Sequence, residues 1–175
     1  MKHSQFEEDD ILRKILAKFR ITPYVCDIGA RYKFSNSAML LREHEFDGRL
    51  IDMNPQHCWF LHKQFWKPDI IREKITPENV NYFVPDDVGV LSIDIDGNDY
   101  HVWKALTKTP QVVIIEFGIQ AKAEDVGEYD PESRKRKDVT GKQALIALGR
   151  EKGYRVYDST RVNLIFIHET VHATA

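Results

Sequence analysis

The chain has 175 residues, enough to bury one sizeable core, and it reads as a single domain over residues 1–175. Hydrophobic residues make up 42% and charged residues 30%, the balance of a soluble globular protein. A net charge of -2 gives no overall pull toward nucleic acid or an anionic membrane, and no apolar stretch approaches the roughly 20 residues a membrane helix needs.

In chain order, Phe6, Ile11, Leu12, Ile15, Leu16 and Phe19 recur at helical spacing, which predicts an N-terminal helix within residues 1–20, stopped by Pro23. "YVCDIGA" (24–30) is a short apolar run broken at Asp27 and Gly29, a buried strand ending in a turn. "SNSAMLLREH" (35–44) reads as a helix with Ser35 or Asn36 as its N-cap. A second strand, "GRLIDMN" (48–54), ends in an acid and leads into a helix opened by Pro55 (55–65). A third strand follows over 69–75, then a short helix over 76–84. "VLSIDIDGNDYHVWKAL" (90–106) supplies a fourth strand and a helix, and "QVVIIEFG" (111–118) a fifth strand that stays apolar until Glu116. Residues 118–139 are charged and irregular, a loop or lid whose basic cluster at 134–138 suits a solvated face better than an acidic ligand. A helix over 141–153 and two adjacent strands, an antiparallel hairpin, finish the chain.

Apolar strands alternating with helices predict an α/β fold, a mostly parallel sheet covered on both faces. In such sheets ligands bind beyond the carboxyl ends of the strands, where the strand order reverses. Here the strands end in Asp27, Asp52, Asp94 with Asp96, and Glu116, so four acidic ends are expected on one edge. Asp27-Ile28-Gly29-Ala30 is a turn at which glycine lets backbone approach a ligand. Asp52 follows by roughly 20 residues, the position of a carboxylate that binds ribose hydroxyls. Asp94, Asp96 and Glu116 suit a divalent cation such as Mg²⁺, and their crowding suits a general base. Helix capping by Asp96 or Asp99 explains one of the crowded aspartates but not three. His101, beside the acidic turn, is a candidate for touching substrate, whereas His57, His62, Lys104 and Lys108 read as packing or surface residues. Trp59, Phe60, Phe65 and Trp66 read mostly as core, with Trp59 also placed to flank an adenine ring. Cys26 and Cys58 make no metal-ligand spacing. A charged N-terminus without a secretory core completes the expectation of a cytoplasmic protein with no nucleic-acid or membrane partner.

"CDIGA", "GRLIDMNP", "SIDIDGNDYHVWKAL", "VVIIEF" and "KGYRVYDSTRVNLIFI" occur in the order of an FkbM-like S-adenosylmethionine-dependent methyltransferase, and the chain resembles that family over roughly residues 22–168. The resemblance implies the class I methyltransferase fold, a Rossmann-like sheet of seven strands with a C-terminal antiparallel hairpin. It implies S-adenosylmethionine as cofactor, with Asp27, Gly29 and Ala30 along its methionine part, Asp52 on its ribose and Asp94 also among the cofactor-binding residues. By analogy with related sugar O-methyltransferases, Asp94 and Glu116 would ligate Mg²⁺ and Asp96 would take the proton of a hydroxyl on a small-molecule or sugar acceptor. The sequence leaves the oligomeric state open, a homodimer included.

The first turn departs from the family. Where members continue Gly-Ala-x-Asp-Gly, this chain has Gly29-Ala30-Arg31-Tyr32-Lys33. Three bulky side chains there raise a second class, a binding or regulatory module that keeps the fold without catalysis. A third class, a metal-dependent glycosyltransferase-like enzyme, would use Asp94-x-Asp96 to hold a sugar-nucleotide diphosphate through a metal.

Overall fold

A computed structural model of the protein describes residues 3–31, 33, 35–132 and 140–174. Seven strands form one sheet in the order β3-β2-β1-β4-β5-β7-β6. These are β1 (Tyr24–Ile28), β2 (Asp47–Asp52), β3 (Asp69–Arg72), β4 (Val90–Ile93), β5 (Val112–Glu116), β6 (Tyr154–Ser159) and β7 (Asn163–His168). The first five are parallel, and β7 runs antiparallel between β5 and β6. The seven strands and closing hairpin expected from the sequence are present, and the strand order reverses between β1 and β4.

Period-2 alternation explains the two cores, because successive strand residues face opposite sides of the sheet. Cys26, Ile28, Leu91, Ile93, Val113, Ile115, Leu164 and Phe166 face one layer, whose helices are α4 (Val80–Phe83), α5 (Asp99–Ala105) and α6 (Lys142–Glu151). Val25, Val90, Val112, Ile114, Ile165 and Ile167 face the other, covered by α1 (Glu8–Lys18) and α2 (Ala38–Glu43). Trp103 of α5 is fully buried, its ring centroid 4.9 Å from that of Phe166. The N-terminal helix is tied to the far end of the chain. Fully buried Glu8 accepts hydrogen bonds from Thr160 Oγ1 (2.8 Å) and Asn163 Nδ2 (2.9 Å), at the entry to β7.

Helix α3 (Pro55–Gln64) is opened by Asn54, whose side chain accepts from the Gln56 amide, with Pro55 in the first helical position. It lies over β2 and β3 at the edge of the sheet, where Cys58 and Leu61 are its buried residues. Of the four aromatic residues expected mostly in the core, only Phe65 is buried. Trp59 and Phe60 on the helix and Trp66 beyond its end are exposed, because a helix packed on a sheet buries only one of its faces. No helix among the described residues is long and apolar enough to cross a membrane.

Candidate active site at the carboxyl edge of the sheet

The parallel register puts the ends of β1, β2, β4 and β5 on one edge: Ile28 is level with Ile51 and Ile93, and Ile93 with Ile115. The acidic strand ends therefore converge, as the sequence implied. At the switch point a cavity of about 490 Å³ opens above them. Ile28, Ile51, Met53, Ile75 and Ile95 give it apolar wall, Asp52, Glu73, Asp94, Asp96, Arg31 and Lys74 give it charge, and Asn54, His57 and Asn98 add polar groups. A volume in the range of small-molecule sites, mostly apolar walls and a few convergent polar groups are the marks of a ligand pocket.

Gly29 makes the edge possible. Its φ of +85° belongs to the left-handed region, and a Cβ built on it would lie 1.7 Å from the Asp94 carbonyl oxygen. The β1 turn thus presses directly on the backbone leaving β4, while the amides of Gly29 and Ala30 donate to the Ile51 carbonyl at 2.8 and 3.0 Å. Gly29 lines the cavity, whereas Ala30 is buried in the apolar cluster under it.

Asp27, expected along a bound ligand, lies beneath the mouth and outside the cavity lining. It is 2% exposed, and its Oδ2 accepts from Ser35 Oγ at 2.8 Å and Ser37 Oγ at 2.6 Å. Burial pushes its carboxyl up, opposed by hydrogen bonds from Ser37, Ser35 and Ser92. The same contacts correct the expected cap of α2. The N-cap residue is Ser37, without a side-chain cap bond, because both serine hydroxyls turn to the buried aspartate.

Asp52 does line the cavity. Its Oδ1 accepts from the Asn54 amide at 2.7 Å, and its Oδ2 lies 2.8 Å from His57 Nδ1. His57, read from the sequence as packing or surface, is the partner that orients this acid. The available signal was its place, five residues past Asp52 in the first turn of a proline-opened helix. Each carboxylate oxygen has a second lone pair, so Asp52 retains acceptor capacity for a diol.

Asp94, Asp96 and Glu116 offer oxygens within 4.8 Å of one another. Asp96 stands at φ 58° in the turn after β4, a conformation aspartate tolerates and one that brings its carboxylate back beside Asp94. The cation the structure places here is Arg31, whose Nη2 donates to Asp96 Oδ2 at 2.8 Å. Burial opposes the Arg31 charge, but Asp94, Asp96 and Glu116 together raise its pKa above the ordinary value. Burial also drives Glu116 up to about 9, reinforced by Asp94, Asp99 and Asp96. Asp94 is raised by burial as well, with Arg31 opposing. At neutral pH the Asp94–Glu116 pair therefore shares a proton. Asp94 Oδ1 is buried without a donor, and the proton on Glu116 is the donor at hand. The donor set suits a hard cation in chemistry, but a proton and a guanidinium already offset two of its three negative charges, and a metal needs its carboxylates deprotonated. As arranged, these residues do not fit a resident Mg²⁺.

Asp99 neither joins this cluster nor caps its helix with a free oxygen. Its Oδ1 accepts from the Ile95 amide at 3.0 Å and its Oδ2 from the Gly97 amide at 2.9 Å, closing the turn. Burial and then Asp94 push it up to about 7. His101, a candidate for touching substrate, lies outside the lining residues. Its Nε2 is 3.2 Å from the Gly127 carbonyl oxygen and its ring meets Tyr129 edge-on, so it holds the loop that follows β5. Asn98 on the cavity rim donates to the Asp130 carbonyl (2.8 Å) and accepts from the Asp130 amide (3.3 Å). The described part of the charged segment, 118–132, is thus anchored beside the cavity. The basic cluster at 134–138 lies outside the described residues, as does Tyr32.

No protein-family model matches the chain, and no curated protein matches it in sequence. Solved structures do match. A S-adenosylmethionine-dependent methyltransferase from Clostridium acetobutylicum superimposes with a TM-score of 0.60 over 92% of this chain and 90% of its own, at 11% identity. The fold is that of the class I methyltransferases. The mitomycin 7-O-methyltransferase MmcR matches with a TM-score of 0.53 at 12% identity, over 95% of this chain and 54% of its own. Human N-acetylserotonin methyltransferase in complex with SAM matches with a TM-score of 0.52 at 13% identity, over 93% and 51%. The chain therefore spans about half the length of each of these two O-methyltransferases.

Proposed function

We propose that the protein is an S-adenosylmethionine-dependent methyltransferase acting on a hydroxyl of a small molecule or sugar. The observation that carries this reading is the cavity at the switch point, which joins Asp52 and its His57 partner to an acidic cluster in a class I methyltransferase fold. Asp52 would hold the ribose of the cofactor, and Ile51, Met53 and Ile75 supply apolar surface for the purine. When bound, the cofactor supplies an activated methyl group, so alignment with the acceptor carries much of the rate. Asp96 keeps one oxygen on Arg31 and turns the other toward the acceptor as the base for its proton. The protonated Glu116 beside Asp94 limits the negative charge an entering hydroxyl meets. The segment anchored through Asn98 and His101 encloses the acceptor and excludes water.

Arg31 favours a second reading, a binding module that keeps the pocket without turnover, because its guanidinium stands in the acidic mouth. The glycosyltransferase reading needs a metal on Asp94 and Asp96 and meets the same guanidinium.

Titration calorimetry with S-adenosylmethionine separates these readings. Micromolar binding that falls about tenfold to a hundredfold in Asp52→Ala supports the cofactor assignment, since hydrogen bonds to a charged group are worth about 1.5–3 kcal/mol. Absence of heat with the wild-type protein overturns it. Binding without methyl transfer to any of a panel of phenols and sugars favours the module.

A further inference from the structure

We propose that Arg31 anchors the carboxylate of the amino-acid end of the nucleoside cofactor, while Asp94 receives its ammonium. This rests on the cofactor reading above and assigns the end of the pocket that Asp52 does not reach.

The cavity has two chemically different ends. Toward β2 and β3 it offers Asp52 among Ile51, Met53 and Ile75, a surface for a nucleoside. Toward β1 and β4 it offers a guanidinium and two carboxylates side by side, Arg31 being 2.8 Å from Asp96 with Asp94 in the same wall. A head group bearing only positive charge would suit the aspartates and be repelled by Arg31, and one bearing only negative charge the reverse. A 2-amino acid carries both charges a few bonds apart and matches both partners at once.

Arg31 has the donors to spare. A guanidinium carries five N–H groups in a planar fork that matches a carboxylate. Among the described residues its hydrogen bond is the single one from Nη2 to Asp96. The Arg31 and Asp96 side chains are 44% and 40% exposed, so a ligand in the cavity reaches the pair without unfolding anything. The other lysine or arginine of the lining, Lys74, sits at the β3 side and donates its ammonium to the Pro131 carbonyl. Arg31 is thus the cation of the β1–β4 end. It directly follows the Gly29-Ala30 turn, which is pinned to Ile51 by two amides, so its base is fixed at the mouth of the sheet. Arg31, at the variable position of this turn, then has a ligand role.

The test compares two probes, S-adenosylhomocysteine and its decarboxylated analogue, which keeps the adenosine, the sulfur and the ammonium. Binding to wild type, Arg31→Ala and Arg31→Lys is measured by calorimetry, with thermal melting to verify that each variant is folded. The expected result is that wild type prefers the carboxylated probe and that Arg31→Ala loses about tenfold to a hundredfold on that probe alone. Arg31→Lys restores part of the loss, since a point charge replaces the fork. Equal loss on both probes, or none on either, overturns the assignment of Arg31 while leaving the cofactor reading intact. Failure of wild type to bind either probe removes the cofactor reading and this assignment together.

Discussion

The ends of β1 and β4 are hydrogen-bonded neighbours, and each carries a buried or half-buried aspartate, yet the two acids live in opposite chemistries. Asp27 is held by neutral hydroxyls from Ser35 and Ser37. Asp94 is enclosed by other acids, a shared proton and one guanidinium. The first arrangement fixes a loop, because donors that cannot ionise hold one carboxylate in one place. The second is poised to change, because its charge depends on pH and on what enters the cavity. Burial alone therefore does not separate a structural acid from a site acid; the identity of the partners does.

The largest expected effect comes from removing the contact that joins the two ends. Gly29→Ala puts a Cβ into the Asp94 carbonyl at a backbone angle that L side chains rarely adopt, and it should cost about 4 kcal/mol or more in urea denaturation. A loss below about 1 kcal/mol would mean that the two ends are not rigidly coupled. Next in size is Ser37→Ala, which takes a 2.6 Å hydrogen bond from buried Asp27 and should cost about 1–3 kcal/mol. Cofactor binding should change far less than stability, since Asp27 lies outside the cavity lining.

The last effect is a slope with pH rather than a loss at one pH. Glu116 titrates up to about 9 in the folded protein against an ordinary value of 4.5. Its contribution to stability is full below the unfolded value, where both states hold the proton. It declines as the pH rises between the two, where only the folded state still holds it, and it is gone above the folded value. Asp99, at about 7, adds a decline of the same sign that ends at lower pH. Urea midpoints from about pH 5 to about pH 9 should therefore fall with rising pH, and Glu116→Gln should flatten the upper part of that decline. An unchanged slope in the variant would place the proton elsewhere.

The strands, their order of appearance and the convergence of Asp52, Asp94, Asp96 and Glu116 on one edge were legible in the sequence. Runs such as Val90–Ile93 and Val112–Glu116 are apolar on both faces because helices cover both faces, and they end where the sheet meets solvent. What escaped was set by partners distant in sequence. Ser35 looked like a cap because local spacing is the only criterion a sequence offers; its hydroxyl does accept from the Ser37 amide at 3.2 Å, but it donates to Asp27, eight residues upstream in a strand. Arg31 was read only as one of three bulky residues that raise a non-catalytic class, because its counter-charge, Asp96, lies 65 residues away. His101 stood next to the acidic turn in sequence, but its place on α5 directs it to the loop after β5. Trp59 and Trp66 were assigned mostly to the core by residue type, which carries no information about which face of a helix meets the sheet or where the helix ends.

The position of β7 has a consequence for biosynthesis. Residues 163–168 are nearly the last described, yet they occupy an interior place between β5 and β6 and bring Phe166 against Trp103. A nascent chain that has reached only Ser159 exposes the apolar edge of β5 without its neighbour and leaves Glu8 without Thr160 and Asn163. The parallel half, strands β1 to β5, emerges first but cannot be sealed until that final strand slides in beside it. Closing such distant contacts is slow, and an unpaired strand edge invites association with other chains meanwhile. The interval between translating residue 116 and residue 168 is thus when this molecule is most exposed to misassembly, and when a chaperone would be of most use to it.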